Sequence, residues 1–160
     1  YSFQLMKKII FQILTVLLIT TGCGFKVYNQ AELINFSIEE IRTTGNNRIN
    51  YNLKNKIKSI LNNNFEKKII LIIETKKNKI IKKKNIKNEI TKYQILINAN
   101  IIIESADFNL EPFIVQEKGD YNTSTQHSQN INAEKKLVSQ LSNNLGNKIL
   151  EEILFRLNDI

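Results

Sequence analysis

The sequence predicts an α+β fold, a two-layer sandwich in the order β-α-β-β-β-α, with a mostly antiparallel sheet and two helices packed on one face. Three observations carry this. Tyr93, Ile95, Ile97, Ala99, Ile101 and Ile103 alternate with Gln94, Asn98, Asn100 and Glu104, the period of a strand with one packed and one wet face. Leu137, Leu141, Leu145, Ile149, Ile153 and Leu157 recur every fourth residue, the stripe of an amphipathic helix. A helix with a single apolar stripe needs a sheet face to cover, and the segments between these two supply short β-branched runs bounded by charge.

Taken in order, Leu33 to Ile41 alternates loosely through Phe36, Ile38 and Ile41 and reads as a first strand. Thr43 to Asn47, rich in glycine and asparagine, reads as a turn. Leu53, Ile57, Ile60 and Leu61 then fall at helical spacing, with Lys54, Lys56 and Lys58 mostly turned away, and this helix is expected to end near Asn62 to Asn64. Lys67 to Lys77 is a strand buried at its centre, and the lysine-rich Lys76 to Ile90 leads into the strand Thr91 to Glu104. The chain turns around Pro112 into a further strand with Phe113 and Val115 on one face, bulged or bent at Gly119-Asp120. Ile131 to Leu157 closes the order as a long helix, mildly weakened by Gly146.

The first residues obey different rules. Lys7 and Lys8 precede an apolar run from Ile9 to Ile19, followed by Thr20, Thr21 and Gly22. That run of roughly 11 residues suits a secretory leader and falls short of the roughly 20 a membrane-spanning helix needs. Met6 is the expected true start. Cys23, the only cysteine, follows a small residue, as in the bacterial lipobox, where the thiol is acylated and the chain cut before it. The expected organisation is residues 1–22 signal peptide, 23–31 lipid-anchored tether and 32–160 a single α+β domain. Thr20 stands where a lipobox usually has Leu, Val or Ile, and the plain alternative is a leader cut elsewhere.

Composition narrows the function classes. The chain carries a net charge of +8, which points to anionic neighbours such as phosphates or acidic lipid. With one histidine, His127, and one cysteine, it cannot build a His/Cys metal cluster or a Cys-His pair within the domain, so no cofactor is expected, and a carboxylate-only enzyme stays open without a signature. Glu74, Glu104 and Asp107 are the carboxylates a degradative enzyme would use, and strand polar faces account for them as well. Nucleic-acid binding, which charge alone suggests, conflicts with export across the inner membrane.

Layout and short motifs together resemble the LPS-assembly lipoproteins (LptE type), especially their short alphaproteobacterial members. Gly22 to Phe25, "GCGF", resembles the mature start of that family, and Thr91 to Ile95, "TKYQI", is similar to its Thr-Arg-Tyr motif at the start of a strand. Asp120 to Leu145 resembles its Tyr-Asn strand end running into the last helix. Lys92 departs from the arginine common there, so a bidentate phosphate contact is not implied at that position.

The resemblance implies a non-enzymatic outer-membrane lipoprotein, anchored through acyl chains on Cys23. It would dock in and plug an LptD-type β-barrel in a 1:1 pair and assist lipopolysaccharide assembly at the outer leaflet. Its domain would lie on the periplasmic side or within the barrel lumen, and Gly24, in place of an inner-membrane retention aspartate, allows that sorting. Lys76, Lys77, Lys79, Lys82, Lys83, Lys84, Lys87 and Lys92 surround the expected hairpin and are the candidate contacts to lipopolysaccharide phosphates. A solvated loop is the plain reading of the same run. Tyr93 and Tyr121 suit an interface, but a half-buried strand end is the stronger reading for each. The alternative function is a free periplasmic lipoprotein binding an anionic cell-envelope polymer.

Overall fold

Hydrophobic alternation and periodicity become six elements in the computed structural model, which describes residues 36–60 and 67–158. They are β1 (Phe36–Gly45), α1 (Asn47–Ile60), β2 (Lys67–Lys84), β3 (Ile90–Glu104), β4 (Phe113–Asn122) and α2 (His127–Asn158). The sheet order is β1-β2-β3-β4. β2, β3 and β4 pair antiparallel, whereas β1 pairs parallel with β2, because α1 carries the chain back to the end where β1 began. The predicted β-α-β-β-β-α sandwich is therefore the observed architecture.

One face of the sheet is packed. Leu71 and Ile73 of β2, Ile95, Ile97 and Ile101 of β3, and Ile49, Leu53 and Ile57 of α1 are fully buried, together with Leu145, Ile149 and Ile153 of α2. α1 and α2 lie side by side over this face. Each buried leucine or isoleucine contributes about 1.5–3 kcal/mol relative to exposure, so the layer interface dominates stability.

Several boundaries differ from the sequence expectation, each for a physical reason. The strand read over Leu33 to Ile41 runs on to Gly45, and Leu33 to Asn35 lie outside the described residues. The expected five-residue turn contracts to the Gly45-Asn46 step. Gly45 adopts φ 98°, and a Cβ there would stand 2.0 Å from the Thr75 carbonyl oxygen, so only glycine fits. Asn46 then caps α1, its Oδ1 accepting from the Ile49 amide at 3.2 Å.

The strand expected to end at Lys77 continues to Lys84, and the hairpin loop is only residues 85–89. Asn85 makes that loop: its Oδ1 accepts from the Lys87 and Glu89 amides at 3.0 and 2.9 Å, while Asn88 takes the left-handed conformation that asparagine tolerates. No bulge interrupts β4, where Gly119 faces Ile95 and Asp120 faces Gln94 in an unbroken register. The irregularities fall instead between Ile38 and Glu40 in β1 and near Lys83 in β2. The last helix begins at His127, four residues before the expected Ile131.

Candidate functional site

Cys23 and Gly22, the expected leader and the expected tether lie outside the described residues, as do Leu61 and the expected helix end at Asn62 to Asn64. The structure does place the eight lysines, and it divides them into two groups.

From Ile69 to Lys79 of β2, odd-numbered residues face the helices and even-numbered ones face the open side. Lys77 and Lys79 continue the inward series begun by Ile69, Leu71, Ile73 and Thr75. Both reach Glu134 of α2, with Nζ to carboxylate distances of 2.8 and 2.7 Å. Tyr121 donates its hydroxyl to the same carboxylate at 3.2 Å, and Lys79 Nζ sits 4.2 Å from the centroid of the Tyr93 ring, which stacks on Tyr121.

Partial burial opposes the charge on Glu134, but hydrogen bonds from Lys77 and Lys79 together with their positive charge outweigh it and bring its pKa down to about 2. Burial likewise works against the charge of Lys79, and the Glu134 and Tyr121 contacts overcome it, raising its pKa. These two lysines therefore hold α2 against the sheet. Lys76, Lys82, Lys83, Lys84 and Lys87 are exposed around the distal half of the hairpin, and Lys92 is half-buried on β3. Lys84 donates to Asn88 Oδ1 at 3.0 Å within the tip, where Ile86 is fully exposed. Five lysines and one wholly exposed isoleucine thus crown an arm reaching past the end of β1.

The reason β1 stops short is a buried polar cluster. Thr75 donates its hydroxyl to Asn50 Oδ1 at 2.6 Å and accepts from the Asn46 amide at 3.1 Å, while Asn50 Nδ2 donates to the Thr44 carbonyl at 3.1 Å. This cluster, with Gly45, turns the chain out of the sheet opposite Thr75. Beyond that point no described residue pairs with the outer edge of β2. Beneath this edge lies a cavity of about 330 Å³, with Ile131 and Val138 as apolar floor and Arg48, Lys77 and Lys135 among its walls.

Other nominated residues fall elsewhere. Glu104 sits 3.7 Å from Arg42 at the far end of the sheet, Glu74 is exposed on the open face, and Asp107 is exposed in the β3–β4 connection, so the three carboxylates form no common centre. Among the described residues there is no group of three or more histidine, cysteine, aspartate or glutamate side chains arranged for a metal, and no helix long and apolar enough to cross a membrane. Sequence reasoning missed Glu134. Its signal was positional, since it occupies an apolar-stripe position four residues before Val138.

No protein-family model matches the sequence, and no curated protein matches it with significance. Solved structures do match the fold. Rare lipoprotein B from Shewanella oneidensis superposes with a TM-score of 0.59 at 9% identity, over 76% of this chain and 98% of that one. A minor lipoprotein from Acinetobacter baumannii gives 0.59 at 16% identity, over 77% and 93%. A lipoprotein B from Nitrosomonas europaea gives 0.57 at 13% identity, over 85% and 94%. At such identities the likeness is one of fold.

Proposed function

We propose that this chain is an outer-membrane lipoprotein of the LptE type, an accessory of the lipopolysaccharide translocon. In this reading Cys23 carries the acyl anchor, and the sandwich docks in and plugs an LptD-type β-barrel as a 1:1 partner. The lysine-bearing hairpin meets the phosphates of lipopolysaccharide during assembly at the outer leaflet. The observation that carries the reading is the fold shared with bacterial lipoproteins, including rare lipoprotein B, in a chain whose sequence reads as a leader over residues 1–22 followed by Cys23. The exposed group Lys76, Lys82, Lys83, Lys84 and Lys87 supports the lipid contact, because clustered ammonium groups suit a phosphate-bearing surface. Anchoring by more than one acyl chain gives stable membrane attachment, each buried CH₂ contributing about 0.8 kcal/mol.

The test is gentle extraction of the tagged chain from its own or a related outer membrane, followed by mass spectrometry, with Cys23→Ala alongside. A near-equimolar β-barrel and an acylated peptide beginning at Cys23 are expected. Acylation with no barrel would move the reading to a free periplasmic lipoprotein that binds an anionic polymer, and an unmodified Cys23 would remove the anchor altogether.

A further inference from the structure

We propose that the outer edge of β2 from Lys76 to Lys84 is a docking site for an extended acidic segment of another protein, which adds to the sheet as a strand in the lane that β1 vacates. β1 follows β2 only to Gly45 opposite Thr75, whereas β3 accompanies β2 to Lys84, so about nine residues of β2 are paired on one side only among the described residues. The departure of β1 is built in by the positive φ of Gly45 and by the Thr44, Asn50 and Thr75 hydrogen bonds. The lane is therefore a fixed feature of the fold, and an unpaired strand edge is a template for a further strand.

Charge selects the occupant. Lys76 is exposed on the open side and Lys82, Lys83 and Lys84 are exposed at the distal end, around the register shift, whereas Lys77 and Lys79 face the helices and are already paired with Glu134. Lysine on an edge discourages pairing with another lysine-bearing strand, so a second copy of this edge is repelled. An incoming strand with acidic side chains removes that repulsion and gains cross-strand ion pairs. The cavity under the lane suits the inward-facing side chains of such a strand. Ile131 and Val138 offer an apolar seat, and the Glu134 carboxylate beside Arg48, Lys77 and Lys135 in the same lining leaves the inward positions to apolar side chains and the carboxylates of the strand to the open face.

The probe is a nine-residue synthetic peptide alternating glutamate and valine, capped at both ends and titrated into the purified full-length chain. Binding is expected to slow exchange at every second amide between Lys76 and Lys84. The same peptide with every amide N-methylated should lose binding at least tenfold, since it keeps its charge but cannot pair. The Lys76→Glu/Lys82→Glu chain should bind the parent peptide about tenfold more weakly, as expected when two exposed ion pairs become repulsions.

Equal binding of the N-methylated peptide would mean charge attraction without strand addition and would overturn the proposal, as would no binding at all. A dimer of the free chain protected at the same amides would overturn it too, by naming a second copy as the occupant. None of these outcomes depends on whether a barrel or a glycolipid is recovered with the chain, so this inference and the functional reading above can fail separately.

Discussion

Lys56 Cγ lies 2.9 Å from the point where a Cβ on Gly146 would stand, and Lys56 Cβ lies 3.3 Å from it. Gly146 is buried at the crossing of the two helices, so the residue that weakens α2 locally is the one that lets α1 approach it.

Gly146→Ala sets two effects against each other. Alanine gains about 1 kcal/mol of helix propensity, while overpacking a close crossing costs about 1–3 kcal/mol. Lys56 Cγ, the closer contact at 2.9 Å, sits at the root of its side chain and moves away only by a change of χ1, so the steric cost should win by about 1 kcal/mol in urea unfolding. In the Lys56→Ala background the same change should become stabilising. A stabilised single variant would show that the helices separate without penalty.

Glu134 predicts an acid-sensitive sandwich. Its folded pKa, about 2, lies below the ordinary carboxylate value of 4.5. A depressed carboxylate contributes stability that is complete above the unfolded pKa and lost as pH falls through the folded one, here between about pH 5 and 2. Allowing for partial solvation, about 2 kcal/mol should disappear across that window, and Glu134→Gln should flatten the drop. A pH-stability curve for the variant parallel to the parent curve over pH 5 to 2 would contradict the role given to this carboxylate.

Thr75→Val tests the cluster that ends β1. The change keeps shape but removes the hydroxyl that serves Asn50 and the Asn46 amide, leaving buried polar groups unpaired at about 1–3 kcal/mol. Combining it with Asn50→Leu should cost less than the two changes separately, because both remove one network. Additive costs from a double-mutant cycle would mean that the hydrogen bonds do not act together.

The strand-helix order and the packed face of β3 were legible because each keeps one period: every odd position from Ile95 to Ile103 is apolar, even though Leu96 and Ile102 add apolar residues to the other face, and Leu141 to Leu157 keep their stripe. The length of β2 was not, because its inward series passes from Ile73 and Thr75 to Lys77 and Lys79, where apolar alternation ends. Those positions are tolerable inside only because Glu134, more than fifty residues away, meets both ammonium groups. A local reading sees a lysine-rich loop where tertiary pairing makes a strand. Gly45 shows the opposite case: glycine and asparagine did mark the turn, but its contraction to one step depends on the Thr75 carbonyl across the ladder.

The two lysine groups should separate in experiment. Lys77→Ala/Lys79→Ala strips Glu134 of both ammonium partners, leaving only the Tyr121 hydroxyl, and should lower stability by about 2 kcal/mol, with no requirement for any ligand. Lys82→Glu/Lys83→Glu/Lys84→Glu alters exposed side chains at the hairpin end and should leave urea unfolding within about 0.5 kcal/mol per site. If these ammonium groups meet phosphates, the triple variant should lose most of its retention on lipopolysaccharide vesicles at low salt, and the parent should be released as ionic strength rises. Vesicle binding unchanged in the triple variant, with its fold intact, would take the hairpin end out of the glycolipid contact and leave Lys76, Lys87 and Lys92 as the remaining cations to examine.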